Sequence, residues 1–191
     1  MSIQFRFNLQ KAIETTSLIL SEIVEEEISA WKLLRYIYLI ERCALRDFDY
    51  PIVGGVSILR GTPINEDLYQ ILFWHFKPPE STNKNQKIWD KYYIVNRKSE
   101  EKVIQSRDGV IYDGDLNEDE CNLIRNCCTC LRYLGLENTS FYYPEVELVE
   151  MNYQTLDNVK LLKILGKTDE EIEDIRLVSL HENYLDKMLG E

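Results

Sequence analysis

The chain has 191 residues, of which 45% are hydrophobic, and its 33 acidic against 22 basic residues give a formal net charge of −11. That length and apolar content suit a single domain with a sizeable core, which we place over residues 1–191. The negative charge argues against a general nucleic-acid binder and against adsorption to anionic membranes, since both require clustered cations.

The amino-terminal segment and the cysteine content both predict a cytoplasmic protein. Residues Phe5–Phe7 precede an amphipathic helix and show none of the architecture of a signal peptide. No run is long and apolar enough to cross a bilayer. Four of the five cysteines lie between Cys121 and Cys130. An odd number of cysteines cannot pair fully within one molecule, and this cysteine pattern is typical of proteins whose thiols stay reduced.

Two helices begin the predicted fold. The first is amphipathic, with an apolar face formed by Leu9, Ala12, Ile13, Thr16, Ile19, Leu20 and Ile23. The second has Ser29 as its N-cap, covers about residues 30–46 and ends before Pro51. Its broad apolar sector consists of Leu33, Leu34, Ile37, Ile40, Ala44 and Leu45, widened by Trp31 and Tyr38. Only a strip with Lys32, Arg35 and Arg42 is polar, so we expect this helix at the centre of the core.

One acid, Glu41, lies inside the apolar sector of this central helix. It shares a face with Leu34, Ile37 and Leu45 at helical spacings. A buried carboxylate costs several kcal/mol unless it is paired or hydrogen-bonded. Glu41 therefore either has a structural partner, which we favour, or faces a groove that serves binding.

The next segment indicates a turn followed by a helix. Gly61 permits backbone angles closed to other residues, Thr62 can cap a helix, and Pro63 suits the first helical position. We therefore expect a helix from about Pro63 to Pro78–Pro79 that packs on the central helix. Its apolar positions are Leu68, Leu72 and Phe76, with Ile64, Ile71 and Trp74 contributing in part.

A polar loop and a small antiparallel β element at about residues 92–112 should come next. The loop is Lys77–Lys87, where no apolar periodicity is visible. The expected strands are Tyr92–Asn96, Lys102–Gln105 and Val110–Tyr112, with Asp108–Gly109 as the hairpin turn. The predicted class is therefore α+β, mainly α-helical, with a compact helical core around the central helix.

A further helix is bounded by clear local signals. Asn117 and Glu120 form a capping box, and Gly135 is placed to end the helix. Its apolar face is expected to hold Ile124, Cys127, Leu131 and Leu134.

The cysteines on this helix are better explained as small core residues than as a metal or catalytic site. Cys127, Cys128 and Cys130 point about 100° apart in sequence order and cannot converge on one tetrahedral metal. The two histidines, His75 and His181, are distant in sequence, and no phosphate-binding, nucleophile-elbow or zincin motif is present. We expect no cofactor and no catalytic residues, and a thiol or carboxylate hydrolase ranks third among the functions considered.

The carboxy-terminal part, about residues 136–191, contains two helical patterns separated by Gly166. The first runs through Leu156, Val159, Leu162 and Ile164 or Leu165, and the second through Ile172, Ile175, Val178 or Ser179, and Leu180. Thr168 and Glu171 form a capping box for the second helix. Its acidity argues against a DNA-binding helix-turn-helix, because phosphate contacts require cations. We expect a helical hairpin that packs on the core or offers a surface to a partner.

The segment Lys32–Leu72 resembles the Panacea domain, a family formerly classed as a domain of unknown function and found in SocA-like and phage-associated proteins. The family pattern K-L-x-K-L-L-Y-L-A-D-R-x-A-L is similar to Lys32, Leu33, Leu34, Arg35, Tyr38, Leu39, Glu41, Arg42, Ala44 and Leu45. Its following turns, strand and helix are similar to Pro51, Ile52, Gly54, Val56, Ile58, Gly61, Pro63, Ile64, Leu68 and Tyr69. Thr62 departs from the family's Gly-Pro-Val-like turn.

The resemblance extends over about residues 8–135, because Leu116, Asn117, Glu118, Glu120, Leu123, Ile124 and Gly135 are similar to the family's Leu-Ser-Glu-x-Asp helix. It implies an antitoxin that neutralises its toxin by direct contact. The alternatives are a SocA-like proteolysis adaptor or a phage-encoded counter-defence binding protein. The implied partner is a protein, either a toxin or a protease substrate, with no nucleic acid and no membrane, and a homo-oligomer is an open alternative.

We expect the family signature to act, structurally or in binding, through Tyr38, Glu41, Arg42, Gly61, Pro63 and Tyr69. For Tyr38, Glu41 and Arg42 we expect a polar network that ties the central helix to the Gly61 turn. Partner choice is expected to reside in the divergent part after Gly135.

Overall fold

A computed structural model of the chain describes residues 3–59, 63–73, 80–96, 102–107, 114–135 and 154–189. Over these ranges the fold is mainly α-helical with two small antiparallel sheets, so the predicted α+β class is confirmed. In chain order the elements are α1 (Leu9–Ile23), β1 (Glu27–Ser29), α2 (Ala30–Asp47), β2 (Ser57–Leu59), β3 (Pro63–Asn65), α3 (Glu66–Phe73), α4 (Glu80–Tyr92), β4 (Tyr93–Val95), β5 (Val103–Ser106), α5 (Glu118–Leu134), β6 (Gln154–Thr155), α6 (Asn158–Ile164) and α7 (Asp169–Leu189). Among the described helices, none combines the length and apolarity needed to cross a membrane.

Helix α2 is the central helix that the sequence predicts. The Ser29 hydroxyl caps its start by accepting the Lys32 N–H at 3.2 Å. Its apolar side chains are buried among α1, α3, α5 and β3. Because it is covered from several sides, most of its circumference has to be apolar, as the pattern indicates.

The helix boundaries at α1, α5 and α7 follow local capping. Asn8 accepts the Lys11 N–H at the start of α1, and Asn117 and Glu120 form the expected capping box on α5, with Gly135 as its C-cap. On α7, the Thr168 hydroxyl accepts the Glu171 N–H at 3.2 Å while the Glu171 carboxylate accepts the Thr168 N–H at 2.7 Å. These side-chain bonds satisfy backbone donors that the first turn of a helix leaves without partners.

The first sheet has the strand order β1-β5-β4 and contains two of the predicted strands. Ile28 lies opposite Ile104, and Ile94 lies opposite Gln105. The third predicted strand, Val110–Tyr112, and its turn Asp108–Gly109 lie outside the described residues. Strand β1, which the sequence did not indicate, leads directly into α2 and joins the sheet to the core.

The second sheet, of order β3-β2-β6, corrects one expectation. Pro63 is not the first residue of a helix but begins β3, where it is paired with Leu59 of β2. Helix α3 starts three residues later, because the Asn65 side chain supplies the cap by accepting the Leu68 N–H at 2.9 Å. Gly61, Thr62, Trp74, Phe76 and Pro78–Pro79, which were assigned to the same predicted turn and helix, lie outside the described residues.

The predicted polar loop Lys77–Lys87 is also corrected, since α4 begins at Glu80. The helix is held at its carboxy-terminal end, where Trp89 is fully buried with its ring centroid 4.7 Å from that of Tyr93. The Gln86 side chain adds a hydrogen bond of 3.0 Å to the Ile71 carbonyl of α3. Local composition alone therefore indicated a loop where tertiary contacts stabilise a helix.

Helices α6 and α7 form the predicted hairpin and pack on a second apolar cluster. Its buried members are Ile3, Leu45, Leu161, Leu162, Ile172 and Ile175. Leu45 belongs to α2, so the carboxy-terminal part packs on the central helix through this cluster. Of the two alternatives at positions 178 and 179, Ser179 faces the core and Val178 is exposed.

Candidate functional site

Glu41 is buried where α2 meets the loop that follows it. Its Oε1 accepts the N–H groups of Ile52 at 3.0 Å and Val53 at 2.8 Å, and its Oε2 accepts the N–H of Gly54 at 2.9 Å. The side chain is 6% exposed. The structural partner that we favoured for this acid is therefore a run of three backbone N–H groups.

Burial and hydrogen bonding act in opposite directions on the Glu41 carboxyl. Burial, the larger effect, raises its pKa and the three N–H groups lower it, and the net result is a rise from the ordinary 4.5 to about 7. The group therefore titrates near neutral pH. It ties the central helix to the loop in both protonation states, because a protonated carboxyl keeps a carbonyl oxygen that can accept hydrogen bonds.

Gly54 and Gly55 allow the loop to approach the amino-terminal segment closely. Gly54 has φ of +70°, and a Cβ atom there would lie 1.9 Å from the Arg6 carbonyl oxygen. The Gly55 N–H donates to the Phe5 carbonyl at 3.2 Å, and the Asn8 N–H donates to the Val53 carbonyl at 2.7 Å. The loop is thus held between α2 and residues 3–8.

Asn65, which the sequence reasoning did not single out, extends this arrangement to α3. Its amide nitrogen donates to the Gly54 carbonyl at 2.6 Å, while its oxygen caps α3. The polar network was expected to reach the Gly61 turn, but Gly61 lies outside the described residues. The observed network joins Glu41 to residues 52–54 and, through Asn65, to the start of α3.

Of the other signature residues that the structure describes, Tyr38 and Arg42 lie beside Glu41, whereas Pro63 and Tyr69 do not. Tyr38 is buried against Leu156, and Arg42 lines a small cavity beside Glu41. Pro63 is buried in β3. Tyr69 belongs to an aromatic cluster with Trp31 and Phe73, with ring centroids 5.7 Å and 4.7 Å away. The structure brings Tyr38, Glu41 and Arg42 together and leaves Tyr69 apart from them.

A groove of about 580 Å³ opens on the other side of this loop. Its lining comes from the amino-terminal segment, α1, the loop after α2, the start of α5 and α7: Phe5, Arg6, Asn8, Lys11, Asp49, Tyr50, Pro51, Ile52, Asn117, Glu120, Ile175, Val178, Ser179, Glu182 and Leu185. Lys11 and Glu120 form an ion pair of 2.7 Å, and the Glu120 side chain is fully buried. The capping residue of α5 therefore also ties α5 to α1.

Helix α7 carries exposed apolar side chains beside this groove. We call Leu177, Val178, Leu180, Tyr184, Leu185 and Met188 the α7 apolar face, and these side chains are between 43% and 68% exposed. Val178 and Leu185 line the groove, while the other four point away from the buried side of the helix. That buried side includes Ile172 and Ser179, whose hydroxyl donates to the Gln4 carbonyl at 2.5 Å.

The cysteines are less uniformly buried than expected. Cys121 and Cys128 are core residues, whereas Cys43 and Cys127 are half-buried and Cys130 is exposed. The expectation of small core residues is therefore wrong for Cys130. Within the ranges that the structure describes, no group of three or more histidine, cysteine or acidic side chains is arranged to hold a metal ion.

Two further residues on these helices were singled out from the sequence. Leu134, placed on the apolar face of α5, is instead 61% exposed, because the last turn of the helix extends past the core. His181 is exposed on α7, and His75 lies outside the described residues.

Comparison of the chain with protein families, curated proteins and solved structures finds no match in any of the three.

Proposed function

We propose that this chain is a cytoplasmic protein–protein interaction module, and specifically an antitoxin that neutralises a toxin by binding it directly. The observation that carries the proposal is the α7 apolar face. Six apolar side chains in the last four turns of one helix are too many and too close together to be scattered surface residues. Their removal from water by a partner would supply the main favourable free energy of binding.

The position of the face favours this reading. Helix α7 is anchored by Ile172, Ile175 and Ser179, so its other side is presented to a partner on a fixed support. Val178 and Leu185 connect the exposed side to the adjacent groove. A partner that covers the face can therefore also reach into the groove, where Tyr50, which is 40% exposed, adds further apolar surface.

Charge indicates the chemistry of the partner. The first half of α7 carries Asp169, Glu170, Glu171, Glu173 and Asp174, and the whole chain has a net charge of −11. Glu182 adds a carboxylate at the edge of the groove. The complementary surface is apolar in its centre and flanked by lysine and arginine, so the partner we propose is a basic protein.

The antitoxin assignment is supported by the resemblance of Lys32–Leu72 to the Panacea domain. The acid inside the apolar helix is the least expected residue of that pattern. In this chain Glu41 has a structural role, because it accepts hydrogen bonds from the backbone N–H groups of residues 52–54. Gly54 has a comparable task in the close contact with Arg6. The signature is therefore consistent with a scaffold that presents α7 rather than with a catalytic centre.

The test is co-expression with the neighbouring reading frame. If that gene encodes a toxin, it should arrest growth alone and be silenced by the wild-type chain. Tyr184→Lys should weaken the rescue, because it removes a ring from the α7 apolar face and places a cation before a basic partner. Tyr184→Glu should weaken the rescue less than Tyr184→Lys, since a basic partner attracts the carboxylate and repels the ammonium group.

Tyr133→Lys is the matched control, because Tyr133 is 86% exposed on α5. It should leave the rescue unchanged. Equal rescue by Tyr184→Lys and wild type would exclude the α7 apolar face, and the absence of any toxic neighbour would contradict the antitoxin assignment. A fall in the cellular level of the toxic protein, without a stable complex, would favour the adaptor alternative.

A further inference from the structure

Residues 3–8 belong to no helix or strand and lie between α7 and the loop that follows α2. Their side chains alternate as in an extended chain, because the odd-numbered ones turn toward the core and the even-numbered ones are exposed. Ile3 is a member of the second apolar cluster, together with Ile172 and Ile175 of α7, and Phe5 packs against that cluster. The segment therefore forms part of the support on which α7 rests.

Side chains of the carboxy-terminal helices attach to the backbone of this segment. The Gln4 carbonyl accepts the Ser179 hydroxyl at 2.5 Å and the side-chain N–H of Asn183 at 3.0 Å, so both of its lone pairs have donors. The Asn183 amide also donates to the Ser179 carbonyl at 2.7 Å, which fixes its orientation on the helix. One residue earlier in the segment, the Ile3 carbonyl accepts the side-chain N–H of Asn158 in α6 at 2.9 Å.

The same segment is fixed on its other side by the loop after α2. The Phe5 carbonyl accepts the Gly55 N–H at 3.2 Å, and the Asn8 N–H donates to the Val53 carbonyl at 2.7 Å. Glu41 in turn holds this loop on α2. Hydrogen bonds therefore connect α7 to the central helix through residues 3–8.

The second half of α7 depends on these contacts more than the first half does. The first half is anchored by the buried side chains of Ile172 and Ile175. After Ser179, the side chains of α7 that the structure describes are exposed, except that of Asn183, which is half-buried. Burial of apolar side chains thus contributes little to residues 180–189, although four of the six residues of the α7 apolar face lie there.

We propose that residues 3–8 are a strap that holds the second half of α7 in place, with Ser179 and Asn183 as the residues that position the helix. The strap thereby sets the direction in which most of the α7 apolar face points. A partner that covers the face also meets the strap, because Phe5 and Arg6 line the adjoining groove. The use of the strap in binding rests on the proposed function, whereas the attachment of α7 rests only on the contacts described above.

Hydrogen–deuterium exchange of the purified full-length chain, followed by mass spectrometry, tests the strap. Ser179→Ala and Asn183→Ala each remove a donor to the Gln4 carbonyl. Exchange in residues 180–189 should become at least roughly two- to tenfold faster, the range expected for the loss of one hydrogen bond, and exchange in the strap should become faster with it. Because Asn183 is only half-buried, its variant tests the proposal even where the buried Ser179 does not tolerate replacement.

The direction of the change separates the strap from the helix's own stability. Alanine forms helices more readily than serine or asparagine, so a helix that relied on its own propensity would exchange more slowly after the same substitutions. His181→Ala is the matched control, since His181 is exposed on α7 between the two positioning residues. It should not accelerate exchange. Unchanged or slower exchange in residues 180–189 of the Asn183→Ala variant would overturn the proposal.

The exchange measurement requires no partner, so its result is independent of the proposed function. In the co-expression test, Asn183→Ala should weaken the rescue although it leaves the α7 apolar face intact, because only the fraction of molecules with a correctly placed helix can bind. Rescue by Asn183→Ala equal to that of the wild type, where Tyr184→Lys fails to rescue, would also overturn the proposal. If Tyr184→Lys rescues fully, the proposed function is wrong, and the exchange data alone decide on the strap.

Discussion

Replacement of Glu41 by alanine should cost the folded state several kcal/mol at pH 5. The change removes the acceptor of three buried N–H groups, at Ile52, Val53 and Gly54. A buried donor left without a partner costs about 1–3 kcal/mol, so even the lower figure gives roughly 3 kcal/mol for three. Since small domains are stable by about 5–15 kcal/mol, the loss should be plain.

Glu41→Gln separates the hydrogen bonds from the charge. The amide oxygen of glutamine can still accept from Ile52 and Val53, but its NH₂ group faces the Gly54 N–H. One donor is therefore lost where alanine loses three, and the glutamine variant should be about one third as destabilised as the alanine variant at pH 5.

The dependence on pH follows from the raised pKa of Glu41. Because the folded state holds this proton up to about pH 7 and the unfolded state releases it near 4.5, the contribution of the protonated group is complete below pH 4.5 and is lost as the pH rises to 7. A rise of that size is worth roughly 3 kcal/mol. The wild type should lose this stability relative to Glu41→Gln, in which the position does not titrate.

The assay is urea unfolding followed by far-UV circular dichroism between pH 4.5 and 8. Glu26→Ala, which removes an exposed acid, is the control and should leave the midpoint unchanged. An alanine variant as stable as the wild type at pH 5 would refute the structural role of Glu41. A constant difference between the wild type and Glu41→Gln across the pH range would refute the raised pKa.

Two further substitutions test how the groove and the loop are held together. Gly54→Ala should destabilise the folded state by more than the roughly 1–3 kcal/mol of left-handed backbone strain, because its Cβ would lie 1.9 Å from the Arg6 carbonyl oxygen. Gly114→Ala, with φ of +91° and no atom within 4 Å of the added Cβ, should show the strain alone, and equal decreases in melting temperature for the two variants would contradict the clash. Lys11→Met leaves the buried Glu120 carboxylate without its cation, so it should lower the free energy of unfolding by about 3 kcal/mol, and the additional change Glu120→Gln should recover part of this loss. An unchanged urea midpoint for Lys11→Met would show that the pair contributes nothing.

Most helices could be predicted because their signals are local. The Ser29 cap and the apolar sector locate α2, and Asn117, Glu120 and Gly135 bound α5 within one turn at each end. The polar composition before Trp89 hid α4, since that helix is stabilised by a side chain buried against distant parts of the chain. Proline is common at the first position of a helix, and this preference placed Pro63 in α3. It could not show that Pro63 instead pairs with Leu59 in a β-sheet.

The candidate sites were less accessible to sequence reasoning. The unusual position of Glu41 in an apolar face was visible in the sequence. Its partners are backbone N–H groups, however, and since nearly every residue has one, the residue types do not show which of them Glu41 binds. The Lys11–Glu120 ion pair joins residues 109 positions apart, and Glu120 showed only its local role as a capping residue.

The exposed side of α7 was partly predictable. The alternation that marks Ile172 and Ile175 also runs through Leu180, so the sequence alone suggested one apolar stripe. The structure separates two sides, with Ser179 toward the core and Leu180 toward solvent. Serine is usually exposed and leucine usually buried, and here the two are reversed. Burial of Ser179 is tolerated because its hydroxyl donates a hydrogen bond to the Gln4 carbonyl.

The most direct measurement of the central claim is the affinity of the purified chain for the product of its neighbouring gene, by isothermal titration calorimetry at low and high salt. The wild type should bind, and its affinity should fall as salt increases, because the proposed partner is basic. Tyr184→Lys should weaken binding at least tenfold, which corresponds to about 1.4 kcal/mol, while Tyr133→Lys should match the wild type. Equal affinities for the two variants, or no binding by the wild type, would contradict the account.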